Sequence, residues 1–235
     1  MGEPVVQEQL PLRVSLRDEA TLENYHGEHN RQGLARVRQI LAAPEPAVTV
    51  LCGGSGAGKS HLLNALCLAA EAQGDSALCL SLSEAQHLPA EALLGLEQFR
   101  LVCLDDLQAL PADPAWEEAL FHLHNRVLDA GGQLWIGAPA PPATMHWQLP
   151  DLASRLKAAA VIQLRSPEDD DLLHLLQARA ASRGLELAEE VGRYVLRRAP
   201  RDTGSLLELL AQLDDASLRN QRRLTIPFVK TVMAW

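Results

Sequence analysis

Gly53-Gly54-Ser55-Gly56-Ala57-Gly58-Lys59-Ser60 decides how this chain is read. The run matches G-x-x-x-x-G-K-[S/T], a phosphate-binding loop, at every fixed position. Its glycines let the backbone curl so that successive N–H groups point inward at a β-phosphate. Lys59 is placed to reach the β- and γ-phosphates, and the Ser60 hydroxyl to ligate Mg²⁺. The flanks agree with the loop. Residues 47–52 read as a buried strand, and residues 61–72 read as a helix. The ligand these residues call for is a nucleoside triphosphate or diphosphate.

Phosphate chemistry of this kind needs a second element to hold Mg²⁺ and position water. Leu101-Val102-Cys103-Leu104-Asp105-Asp106 supplies it, with four apolar residues ending in two carboxylates. A strand buried on both faces carries acids at its C-terminal end because that edge faces the ligand crevice. Asp105 is the candidate for the Mg²⁺ shell, and Asp106 for the base or water-orienting residue.

The remaining pattern predicts an α/β fold. A helix over 29–42, with Leu34, Val37, Ile40 and Leu41 on one face, ends at Pro44 and Pro46. Further strands are predicted at 77–82, 100–104, 133–137 and 160–164, with helices between them, the clearest at 114–129 behind an Asp113 cap. Such alternation predicts a parallel sheet covered on both faces. After Leu164 the character changes. Ser166 as cap, Pro167 at the first helical position and acids in the first turn open a run of four helices, over 167–183, 188–198, 203–218 and 226–234. The expected organisation is a tail over 1–20, an α/β nucleotide-binding domain over 21–165 and an all-helical lid over 166–235.

Composition narrows the setting. Of 235 residues, 47% are hydrophobic and 22% charged, as in an ordinary globule. A net charge of −9 argues against a nonspecific nucleic-acid binder, which would carry a basic footprint. Cys52, Cys67, Cys79 and Cys103 form no C-x-x-C pair and lie in apolar segments, so reduced, buried thiols and a cytoplasmic location are expected. Residues 1–9 lack the apolar core of a signal peptide, and no apolar run is long enough to span a bilayer. His122 and His124, two apart on a helix, point to different faces and make a poor metal pair. Arg222-Arg223 reads as a solvated surface rather than a DNA contact.

One more segment stands out. Leu149-Pro150-Asp151-Leu152-Ala153-Ser154-Arg155-Leu156 sets an arginine on a short helix between two strands. Together with the phosphate loop, the acidic strand end and the helical lid, it resembles the AAA+ ATPases of the replication-initiator clade. The closer likeness is to the Hda family of DnaA regulatory inactivators, and it covers nearly the whole chain. Its other specific points are the run Gln221-Arg222-Arg223-Leu224-Thr225-Ile226-Pro227-Phe228-Val229-Lys230 and the run Ala20-Thr21-Leu22-Glu23-Asn24-Tyr25 followed by His29-Asn30.

The resemblance implies a P-loop AAA+ fold holding ADP or ATP with Mg²⁺. Tyr25, in the N-terminal box, would wrap the adenine; Gly53, Gly54, Ser55, Gly56, Ala57, Gly58, Lys59, Ser60 and His61 would complete the nucleotide site. Arg155 would act as a finger in trans on ATP bound to DnaA, a contact that can be worth roughly 10³–10⁵ in rate. Gln9-Leu10-Pro11-Leu12 resembles the short peptide by which replication proteins dock on the β sliding clamp. Leu10 and Leu12 would fill apolar pockets while the Gln9 amide makes directed hydrogen bonds. DNA would then be met through the clamp, and no membrane is involved. Surface apolar residues such as Trp147 and Trp235 leave a homodimer or higher oligomer open.

Two departures matter. The strand that should end in a γ-phosphate-sensing polar side chain reads Leu134-Trp135-Ile136-Gly137-Ala138-Pro139. The lid position that should supply a sensor arginine aligns with Gly204, with Arg201 one turn upstream as a substitute. Both losses weaken self-hydrolysis and leave binding intact. The expected function is therefore a clamp-docked regulator that stimulates hydrolysis of DnaA-bound ATP. The alternative is an autonomous AAA+ ATPase acting as helicase loader or remodeller. The initiator itself is disfavoured, because after the lid no residues remain for a helix-turn-helix domain.

Overall fold

The apolar runs around the phosphate loop form the middle of a parallel sheet. A computed structural model describes residues 20–23, 25, 30–43, 45–200, 203–220 and 223–235. Gln9, Leu10, Leu12 and Arg201 lie outside these residues, as do Asn24, His29 and Arg222. Strands β1 (Ala47–Cys52), β2 (Ala77–Ser81), β3 (Leu101–Asp105), β4 (Gln133–Ala138) and β5 (Ala160–Gln163) pair in the order β2-β3-β4-β1-β5, all parallel. Parallel neighbours require crossovers, and helices α1 (Arg31–Leu41), α2 (Lys59–Ala72), α3 (Pro114–Asp129) and α4 (Pro150–Ala158) supply or flank them. The expected α/β sheet is present.

Alternation along each strand splits the core into two layers. Val50, Cys52, Val102, Leu104, Leu134 and Ile136 face α3 and α4 with Leu120, Leu123, Leu152 and Leu156. Leu51, Leu101, Cys103 and Trp135 face α1 and α2 with Val37, Ile40, Leu62, Leu63 and Leu66. Every residue of β3 and β4 is buried, which is why both runs read as continuously apolar rather than alternating. Cys67, Cys79 and Cys103 meet between α2 and the β2–β3 edge as free thiols, and burial pushes the Cys103 thiol up.

The C-terminal residues form α5 (Asp169–Ser182), α6 (Glu189–Leu196), α7 (Thr203–Asn220) and α8 (Ile226–Met233), with no strand among the described residues after Gln163. They enclose their own core of Leu173, Leu176, Val191, Val195, Leu206, Leu213 and Val229. The predicted start of α5 is corrected. Glu168, not Ser166, is the N-cap: its backbone N–H donates to the Asp171 carboxylate at 2.9 Å, completing a reciprocal capping box. Ser166 is drawn away because its hydroxyl donates to the Ser55 carbonyl at 3.2 Å, tying the entry of the lid to the phosphate loop.

Gln133, buried at the start of β4, joins α1 to the sheet. Its amide donates to the carbonyls of Ile40 and Ala43 at 3.0 Å each, and its oxygen accepts from the Trp135 indole at 3.1 Å. Gln133→Leu removes all three bonds, leaves the buried Trp135 N–H without this acceptor, and should cost about 2 kcal/mol in urea-monitored unfolding; a change within about 0.5 kcal/mol would refute that role.

Candidate functional site

The loop between β1 and α2 is shaped by two left-handed glycines, Gly56 at φ 74° and Gly58 at φ 87°. α2 begins directly after Gly58, so the first helical amides and the loop amides converge on one spot. Close neighbours leave no room for side chains. A Cβ on Gly53 would stand 2.7 Å from the Leu164 carbonyl oxygen, and one on Gly58 would run into the Tyr25 ring. Lys59 Nζ donates to the carbonyls of Gly53 (2.8 Å) and Gly54 (3.0 Å), so the ammonium spans the concave side of the loop.

Tyr25 is fixed on this loop from outside. Its hydroxyl donates to the Ala57 carbonyl at 3.0 Å and accepts from Asn30 Nδ2 at 2.8 Å; burial raises its pKa, with the Asn30 bond opposing. Asn30, itself buried, also donates to the Arg165 carbonyl at 2.9 Å and accepts from the Arg165 N–H at 2.8 Å. His61 stands beside Tyr25, ring centroids 5.8 Å apart, with Nε2 2.9 Å from the Thr21 carbonyl.

The acidic edge lies next to the loop. Asp105 ends β3 and is 6% exposed; burial, followed by the neighbouring Asp106 charge, raises its pKa, while the Ser60 hydroxyl and Lys59 pull it back. One Asp105 oxygen accepts from the Asp106 N–H at 2.9 Å and also rests against Gly137 of β4, where any Cβ would collide with it. Asp106 adopts the left-handed conformation at φ 59°, uncommon for a residue with a side chain. Its two oxygens accept from Ser83 Oγ at 3.0 Å and Gln108 Nε2 at 2.9 Å.

Tyr25, residues 55–61 and the lid enclose a cleft of about 360 Å³. The lid contributes Leu172, Leu175 and Arg179 from one face of α5, and Thr203, Gly204 and Leu207 from α7. Sequence reading missed the two α5 leucines, Leu207 and Arg179. The helical spacing of the leucines shows that they share a face, but cleft and lid core look alike at that level. Gly204 presents no side chain to the cleft at all.

These residues fit a nucleotide with a divalent cation. Loop amides and Lys59 offer phosphate contacts, the lid leucines an apolar shelf, and the Ser60 hydroxyl and Asp105 carboxylate hard oxygen donors. Among the described residues no group of three or more His, Cys, Asp or Glu side chains could hold a metal ion, so a Mg²⁺ ion there would rely on phosphate oxygens and water for its other ligands. Arg155 stands apart from the cleft. It is exposed on α4, whose Leu152 and Leu156 are fully buried on the opposite side. His122 is exposed and His124 buried, as different faces require. No helix among the described residues is long and apolar enough to cross a membrane.

Comparisons with known proteins follow the same division. Residues 16–163 match the family model for the bacterial DnaA ATPase domain, and residues 169–233 match that for the Hda lid domain. Domain III of the Thermotoga maritima replication initiation protein DnaA superposes with TM-score 0.76 at 19% identity, covering 92% of this chain and 96% of its own. DnaA from Aquifex aeolicus in its AMPPCP-bound form gives 0.71 at 21%, covering 88% and 71%. A point variant of Thermotoga maritima RuvB gives 0.69 at 16%, covering 93% and 72%.

The raised pKa of Asp105 fixes the sign of one substitution. A carboxyl whose folded pKa exceeds its unfolded value costs stability once pH rises through that range and the charge must form. Asp105→Asn should therefore melt higher than the parent at pH 7 in EDTA, with the gap closing toward pH 3. An Asp105→Asn protein that melts lower at pH 7 would contradict the burial argument.

Proposed function

The chain belongs to the bacterial DnaA ATPase-domain family, with a lid of the Hda type, and we propose that it is a regulatory AAA+ protein acting on ATP held by DnaA. In this reading Arg155 reaches the γ-phosphate of ATP in a DnaA protomer, and the tail residues Gln9, Leu10 and Leu12 dock on the DNA-loaded β sliding clamp. The result is ADP-bound DnaA and a halt to further initiation of chromosomal replication.

The observation that carries the reading is a contrast between two places in the fold. The chain's own cleft has the parts for holding a nucleotide but glycine at both sensing positions, Gly137 and Gly204. Arg155, by contrast, lies outside that cleft, exposed on a helix whose other side is packed on the core. A protein that consumed its own ATP would carry polar side chains at those two positions.

Each residue then has a task. The loop amides and Lys59 grip the phosphates of a resident ADP, while Tyr25 and the lid leucines hold its base. Ser60 and Asp105 would share a Mg²⁺ ion, which neutralises phosphate charge when bound. Tyr25, Asn30 and Ser166 thereby set the angle between sheet and lid, and with it the surface offered to DnaA. Arg155 delivers fixed positive charge where negative charge accumulates during phosphoryl transfer. The tail on the clamp makes the encounter effectively intramolecular, so a weak protein–protein contact suffices.

The second reading, an autonomous ATPase that loads or remodels replication machinery, is favoured by the intact pair Asp105 and Asp106. One assay separates the two. With radiolabelled ATP carried only by DnaA on clamp-loaded DNA, this protein should accelerate hydrolysis, and Arg155→Ala should remove roughly 100-fold or more of that acceleration with clamp binding intact. Undiminished stimulation by Arg155→Ala would end the proposal. Alanine at Gln9, Leu10 and Leu12 together should abolish clamp binding in a pull-down while leaving the thermal midpoint unchanged.

A further inference from the structure

We propose that Glu117 of α3 is the positioning residue for Arg155, a role that rests on the trans-acting reading of that arginine. α4 has nine residues and Leu149 at its N-cap, a residue with no polar side chain to offer its first turn. Another helix instead holds the cap residue and the residue before it. The Glu117 carboxylate takes the Leu149 N–H at 2.8 Å on one oxygen and the Gln148 N–H at 3.1 Å on the other. Glu117 is 7% exposed, far more buried than a glutamate on a solvated helix face.

A buried carboxylate is retained where its hydrogen bonds hold something in place, because desolvation removes most of its net stabilising value. Here it grips the entry to α4 and complements the positive end of that helix. Leu152 and Leu156 hold the same helix from below by apolar packing, which is non-directional. Before α4 the chain makes a short turn at Pro142–Thr144, closed by the Trp147 indole donating to the Pro142 carbonyl at 3.0 Å. The two bonds to the Glu117 carboxylate hold the backbone from there into α4.

The same face of α3 continues to the arginine. His124 lies seven residues beyond Glu117, two turns along, and is buried. Burial lowers its pKa, with the Asn125 bond opposing and the charge of Arg155 adding to the fall. α3 thus serves as a rack, with Glu117 at the start of α4 and His124 on the same face. Arg155 on a helix free to shift by about 1 Å would lose much of its effect, since such misplacements cost on the order of 10²-fold in rate.

Full-length Glu117→Ala and Glu117→Gln proteins test this beside Arg155→Ala and the Glu117→Gln/Arg155→Ala double variant. The assay is hydrolysis of DnaA-bound ATP on clamp-loaded DNA, titrated to saturation. The maximal stimulated rate should fall about tenfold to hundredfold in Glu117→Ala and less in Glu117→Gln, with half-saturation within about twofold of the parent. Nucleotide and clamp affinities should be unchanged, and the double variant should be no slower than Arg155→Ala alone. Should Glu117→Ala fail to fold, Glu117→Gln decides, its folding checked by its thermal midpoint. A folded Glu117→Gln protein with the parental rate overturns the inference, as does a rate loss that persists additively on top of Arg155→Ala. Full stimulation by Arg155→Ala would instead overturn the reading on which it rests.

Discussion

One amide side chain ties together the parts of the nucleotide cleft. Asn30 is bonded to Tyr25 on one side and to both backbone groups of Arg165 on the other. Tyr25 is in turn bonded to the phosphate loop at Ala57, and Arg165 lies on the stretch that leads from β5 into the lid. Three segments far apart in sequence therefore share a single anchor. With both the nitrogen and the oxygen of the Asn30 amide engaged, none of the three can move without breaking a buried hydrogen bond. Ser166 adds a second tie between lid entry and loop at Ser55.

The acidic edge is built with more tension. Asp105 is a carboxyl group taken out of water, and Asp106 adopts a backbone conformation uncommon for residues with side chains. Features of this kind persist when the surroundings over-determine them. Here the surroundings are explicit: Ser83 and Gln108 each bond one oxygen of Asp106, and the Asp106 N–H supports Asp105. The second acid of the pair is thus engaged on both oxygens by its own neighbours, which suits a protein whose cleft serves to hold a nucleotide.

Much of this was legible in the sequence, for physical reasons. Gly56 and Gly58 had to be glycine because their φ values exclude other side chains, so the loop is spelled out in residue types. β3 and β4 are buried on both faces, so they appear as unbroken apolar runs with sharp ends. The Asp113 cap and Pro114 fixed the start of α3 because capping is a local interaction. What escaped was non-local. Ser166 looked like a cap until Ser55, over a hundred residues away, claimed its hydroxyl. Arg179 and the lid leucines differ from core residues only in what faces them across the cleft. Nothing in the sequence around Glu117 announces that the backbone of Gln148 and Leu149, 31 and 32 residues on, is bonded to it.

Gly137 bears on how such a protein could change over time. Asp105 lies directly against it, in the space any larger residue would require. A side chain gained at this strand position would, in the same step, displace the tip of the Asp105 carboxylate. The two positions, on neighbouring strands, are therefore not free to change independently of each other.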